Sequence, residues 1–166
     1  MEQLVSYNTS ILEKIDALLH QMRDAELSKP SPLLFGGSIG QHFRHILEFY
    51  TCLLTELDAN SFSYDRRQRN LLIESEVIAA RACAVRNIGL LQRITADRDL
   101  LMESELPEME QAVVQRTSLK RELIYLADHG VHHLAMVRIA LEQELPHITF
   151  PEHLGVAAST RNHQAR

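Results

Sequence analysis

The sequence predicts an all-α protein, an antiparallel four-helix bundle with a short β-hairpin between its third and fourth helices, in one domain over residues 1–166. Three observations predict it. Four long stretches carry apolar residues at three- and four-residue intervals. Two of those stretches open on a serine placed to cap a helix, and prolines or polar clusters fill the connections. A chain of 166 residues that is 45% hydrophobic can bury one sizeable core and is short for two full domains.

The first helix is expected over residues 3–25, where Leu4, Ile11, Leu12, Ile15, Leu18 and Leu19 form one apolar face. Pro30 and Pro32 cannot continue it. Ser38 followed by Gln41 has the spacing of a capping box, in which each side chain satisfies a backbone donor of the other residue, so a second helix is expected over 39–57. Residues 60–74 have no period and hold Arg66, Arg67 and Arg69, which reads as a long surface connection. Apolar spacing resumes at Val77, Ile78, Ala82, Val85, Ile88, Leu91 and Ile94, giving a third helix over 75–95. Between residues 97 and 117 the period changes, and the segments on either side of Pro107 read as two extended stretches around a turn. Ser118 caps a fourth helix over 119–143, which Pro146 stops, and from about residue 146 the tail is expected to be irregular and partly packed on the bundle.

Charge and motifs remove several function classes. The net charge of -5 is dispersed, which gives no broad footprint for nucleic acid or an anionic membrane. No apolar run reaches the roughly 20 residues that span a bilayer, and residues 1–10 lack the pattern of a signal peptide, so a cytoplasmic protein is expected. Cys52 and Cys83 have no CxxC spacing and are expected as reduced thiols within helices. There is no HExxH, P-loop, GxGxxG or GxSxG pattern. Glu144 and His147, the one Glu-x-x-His spacing, span Pro146 and so make a poor helical ligand pair for a di-iron site.

The histidines are the unusual feature. Of nine, five lie within residues 42–45 and 129–133, inside "SIGQHFRHILEFY" and "DHGVHHLAMV". His129 and His133 are four apart on a helix and so present two imidazoles to one point, as a metal that accepts lone pairs at about 2.0–2.1 Å requires. A third ligand is expected from the second helix, where both His42 and His45 have inward-facing apolar neighbours. His132 and whichever of that pair is not a ligand are left as supporting or surface groups. His20, His147, His153 and His163 read as surface or tail residues. Glu48, one turn after His45, and Tyr125, one turn before His129, are placed to orient a ligand or move a proton, and no residue is assigned as the catalytic base. Arg66, Arg67 and Arg69 would suit an anionic partner, but three neighbouring arginines ordinarily form a solvated loop.

The run "SIGQHFRHILE", followed at long range by "DHGVHHLAMV", resembles the DinB-like (YfiT-like) family of metal-dependent bundle proteins. There a histidine lies seven residues after the serine that starts a helix, and two more come from a last-helix motif of the type N-H-x-x-H-H-R-G-Q. Carried over, the ligands fall on His45, His129 and His133. The resemblance implies a divalent metal, zinc or nickel, on three imidazoles. It also implies a small-molecule substrate, in some relatives a low-molecular-weight thiol, and a homodimer. The family's Arg-Gly-Gln is replaced here by Leu134, Ala135 and Met136, a more apolar edge.

The function expected from these readings is a metal-dependent transferase or hydrolase, thiol-dependent in some relatives. The rival is a non-enzymatic scaffold in which the ion pins the second helix to the fourth.

Overall fold

A computed structural model describes residues 1–164. Helix α1 (Glu2–Leu19) is followed by one-turn helix α2 (Asp24–Leu27), a 3-10 turn at Pro32–Leu34 and helix α3 (Ile39–Thr55). Strand β1 (Ser61–Phe62), one-turn helix α4 (Leu72–Ser75) and helix α5 (Val77–Leu91) come next. The hairpin β2 (Asp99–Ser104) and β3 (Val113–Ser118) leads directly into the long helix α6 (Leu119–Glu144), and α7 (Ala158–Gln164) lies in the tail.

The expectation of an all-α four-helix bundle is corrected. The described residues form seven α-helices and a three-stranded mixed sheet, so the chain is mainly helical rather than all-α. The sheet has β2 at its centre: β3 pairs with it antiparallel from Asp99↔Ser118 to Ser104↔Val113, and β1 joins the other edge in parallel at Ser61↔Leu101 and Phe62↔Met102. A two-residue strand is too short to carry a period, and a parallel partner is supplied from a distant part of the chain, so nothing local announces it. Phe62 and Leu100 are both buried, which ties this sheet to the core rather than leaving it as a surface ribbon.

The first long helix ends earlier than its apolar period suggests. After Leu19 the chain turns and restarts at Asp24, where the Arg23 backbone N–H donates to Glu26 Oε2 at 2.9 Å and the Arg23 guanidinium pairs with the other carboxylate oxygen. The third helix is shorter than the expected 75–95, running Val77–Leu91 after the separate turn α4, and the tail expected to be irregular holds α7. At two helix starts the local chemistry acts as read. Gln41 N–H donates to Ser38 Oγ and Ser38 N–H to Gln41 Oε1, which starts α3 at Ile39. Ser118 accepts from Arg121 N–H and starts α6.

The long helices pack α1 against α5 and α6, and α3 against α5 and α6. Their shared core includes Ile11, Ile15, Phe43, Ile46, Leu47, Tyr50, Leu123, Leu126 and Val137, all essentially removed from solvent. Close approach depends on two glycines. At Gly40 a methyl group would run into the Glu74 carbonyl, so only glycine allows α3 to start against α4. At Gly130 a methyl group would lie 3.2 Å from Ile11 Cγ2 and 3.7 Å from Ile46 Cγ2, which places α6 hard against α1 and α3 beside His129. The tail returns to this body through buried Ile148 and Leu154, and Thr149 N–H donates to Gln21 Oε1. Among the described residues no helix is long and apolar enough to cross a membrane.

Candidate metal centre

Histidines from α3 and α6 meet where these two helices pack. On α3, His42 and His45 are one turn apart. On α6, so are His129 and His133. His45 reaches between the α6 pair, with ring centroids 4.9 Å from His129 and 4.6 Å from His133, and the α6 rings are themselves 4.6 Å apart. His45, His129 and His133 each offer a nitrogen within 4.8 Å of the others. His132 is exposed and lies outside this group, although its ring sits against His133.

The spacing can be compared with what one cation requires. Ligands at bond lengths of about 2.0–2.1 Å stand about 2.9 Å apart at a right angle and about 3.4 Å apart at the tetrahedral angle. His45 Nε2 and His129 Nε2 are 2.8 Å apart, near the shorter of these. Bringing all three nitrogens onto one ion, from an outer separation of 4.8 Å, needs side-chain rotation of about an ångström. The donor set of three imidazoles suits zinc or nickel better than magnesium or calcium, which prefer oxygen.

Burial keeps these imidazoles neutral, as ligands must be. Desolvation is the largest cause and pushes His45 down to about 4, with further lowering from the neighbouring His129 and Arg67. It pushes His133 down to about 3, helped by the nearby His45 and His129, and it lowers His42 and His129 as well.

One side of the cluster is walled by aromatic rings. Phe49, one turn beyond His45, stacks on Tyr64 at 4.7 Å and on His129 at 4.8 Å, and Tyr125 stacks on His129 at 5.5 Å. Arg67 lies over the Phe49 ring at 4.8 Å, donates to the Tyr64 carbonyl, and brings its Nη2 to 3.5 Å from His45 Nδ1. Its charge is balanced by buried Glu48, whose Oε2 faces Arg67 Nε at 3.7 Å and Arg44 Nε at 3.8 Å, while Oε1 accepts from Asn70 N–H at 2.7 Å. Burial raises the Glu48 pKa, and the Asn70 N–H and the arginines partly offset this.

On the other side, His42 Nδ1 lies 2.9 Å from His133 Nδ1, a polar contact between residues 91 positions apart. A cavity of about 620 Å³ runs beside the centre. Glu48, Cys52, Ser63, Arg66, Arg67 and Arg86 help to line it, none of the three histidines does, and Arg67 forms the shared wall. Cys52 and Cys83 are free, and burial pushes the Cys52 thiol up to about 11, far from the range of a reactive thiolate.

The structure therefore brings together His45, His129 and His133. Glu48 faces Arg44, Arg67 and Asn70, and the Tyr125 ring stacks on His129. Arg67 is the neighbour that sequence reasoning missed. Its place beside Arg66 and Arg69 predicts a surface connection, but its side chain is only 13% exposed. Its contact with His45 joins parts of the chain 22 residues apart with no period between them.

No family model matches the chain, and no solved structure matches it. A stretch of 106 residues, 61% of the chain, is 30% identical to FK506-binding protein 5 of Rhizopus delemar and spans 27% of that protein's length. The chain thus corresponds to little more than a quarter of that relative.

Proposed function

We propose that this chain is a DinB-like metal-binding protein that holds one divalent cation, zinc or nickel, on His45, His129 and His133, and that it acts in the cytoplasm as a metal-dependent transferase or hydrolase on a small molecule. The observation that carries the reading is the approach of three neutral imidazoles, from two helices, to one point. Each ring nitrogen in this half-buried cluster needs a proton donor, an acceptor or a cation as its partner. A cation satisfies all three lone pairs at once.

Bound there, the ion would supply Lewis acidity and lower the pKa of a coordinated water or thiol. The chain's own residues set the conditions. Three neutral ligands leave the cation its full charge, Phe49 and Tyr125 exclude water from one side, and the Arg67–Glu48 pair holds a balanced charge beside His45. Arg67 also borders the cavity, so a polar substrate seated there meets a guanidinium before it meets the centre. A thiol substrate and a homodimer belong to this reading through the family resemblance.

The second reading is a scaffold in which the ion only staples α3 to α6, and it is favoured by the absence of all three histidines from the cavity lining. Elemental analysis of the purified protein tests what both readings share. About one equivalent of metal per chain is expected, with near-complete loss in His45→Ala and His129→Ala. Negligible metal in the wild type, or equal metal in all three proteins, rejects the proposal. With metal established, turnover of thiol or ester substrates that stops on chelation while the fold persists selects the enzyme over the scaffold.

A further inference from the structure

We infer that His42 is a positioning residue for this centre: its contact with His133 Nδ1 holds His133 with the Nε2 lone pair free for the cation. The inference rests on the metal reading above and adds a fourth histidine with a role distinct from the other three.

His42 lies outside the group able to share one ion, so its Nδ1 and His133 Nδ1, 2.9 Å apart, share a proton, one being an N–H and the other a lone pair. Only two arrangements of neutral rings allow this. In one, His42 Nδ1 carries the proton, His133 Nδ1 accepts it, and His133 Nε2 is an N–H that cannot bind metal. In the other, His133 Nδ1 carries the proton and donates to His42, which leaves the His133 Nε2 lone pair unused. Because Nδ1 is engaged by His42, Nε2 is the nitrogen that His133 has left to offer, and a cation selects the second arrangement. This is the second partner that metal-bound imidazoles ordinarily have, filled here by an imidazole instead of a carboxylate or a carbonyl.

His42 is not a fourth ligand on this geometry. Its Nδ1 is engaged with His133, and the group able to share one ion consists of His45, His129 and His133. Nor is it ordinary core filling. It is half-buried in the first turn of α3, and its polar contact reaches across to α6. The interaction also explains why α3 carries two histidines one turn apart: His45 enters the group, and His42 fixes the orientation of a ring on the opposite helix.

The test is a mutant cycle on the full chain, with zinc affinity read by competition against a chelator. His42→Ala is expected to weaken zinc binding by about 10- to 100-fold, the cost of losing such a partner. His42→Asn, whose amide oxygen can accept from His133 Nδ1, should recover most of that loss. In a His133→Ala background, His42→Ala should add less than about twofold, because its effect passes through His133. In the zinc-loaded wild type, long-range proton–nitrogen spectra should place the His133 proton on Nδ1 with the shift of a hydrogen-bonded proton, and that hydrogen-bonded shift should vanish in His42→Ala, which a purely structural role would not cause.

Unchanged affinity in His42→Ala overturns the inference and leaves the metal centre standing. So does an equal loss in the His133→Ala background, which would make His42 an independent ligand, or a His133 proton on Nε2 in the zinc-loaded wild type. A wild type that binds no zinc overturns the metal reading itself.

Discussion

His45 Nε2 and His129 Nε2 lie 2.8 Å apart although the residues are 84 positions apart in the chain. Two basic nitrogens at this distance either share a proton or share a cation. Helix packing sets the choice: α3 and α6 are held together by a core that does not depend on the histidines, so the rings face each other before any ion arrives. Such preorganisation favours binding because little side-chain freedom remains to be lost.

Acid should destabilise the metal-free protein. Unfolded, the imidazoles take up protons near pH 6.5, whereas folded His45 and His133 stay neutral until about pH 4 and about pH 3. Falling pH through that window therefore favours the unfolded chain, which binds more protons, and stability is recovered above 6.5. Glu26, held near pKa 2 by its hydrogen bonds with Arg23, has an unfolded value of 4.5 and acts only below it. Urea midpoints of chelator-treated protein should drop between about pH 7 and about pH 4.5, and a His45→Asn/His133→Asn variant should drop less. Equal pH dependence in the two proteins would refute this assignment.

Glu48 is expected to matter more for stability than its distance from the histidines suggests. Glu48→Ala leaves the largely buried Arg67 without its carboxylate while Arg44 keeps its ion pair with Glu74, at a cost of about 3 kcal/mol. Glu48→Gln still accepts from Asn70 N–H and should cost less. Denaturant unfolding checks the order. A Glu48→Ala variant as stable as the wild type would mean that the pair is solvated and contributes nothing.

Gly130 should be intolerant of a branched side chain. Gly130→Val presses on Ile11 and Ile46 and should cost about 2 kcal/mol by overpacking. It also moves α6 away from α3, so zinc affinity should fall together with stability. Retained affinity in a destabilised Gly130→Val protein would show that the centre does not depend on the close approach of these helices.

Much of the site was legible because its information is local. An HxxxH spacing within one helical period puts His129 and His133 on one face, and Ser38 with Gln41 fixes where α3 begins, while the choice of His45 over His42 comes from the family resemblance. What was not legible is what the chain assembles from a distance. Strand β1 pairs two residues of a patternless connection with the middle of β2, which turns a supposed all-α protein into a mainly helical one with a mixed sheet. Arg67 folds back from that same connection onto Phe49 and His45, and no spacing rule predicts it. The break after Leu19 is similar, since the apolar period runs on while Glu26 closes a separate turn on Arg23.

The measurement that tests the central claim most directly is X-ray absorption at the zinc edge of protein loaded with one equivalent of zinc. Three imidazole nitrogens at about 2.0–2.1 Å, reduced to two in His45→Ala, are the predicted result. A first shell of oxygen or sulfur without imidazole scattering, or an imidazole count that His45→Ala leaves unchanged, would contradict it.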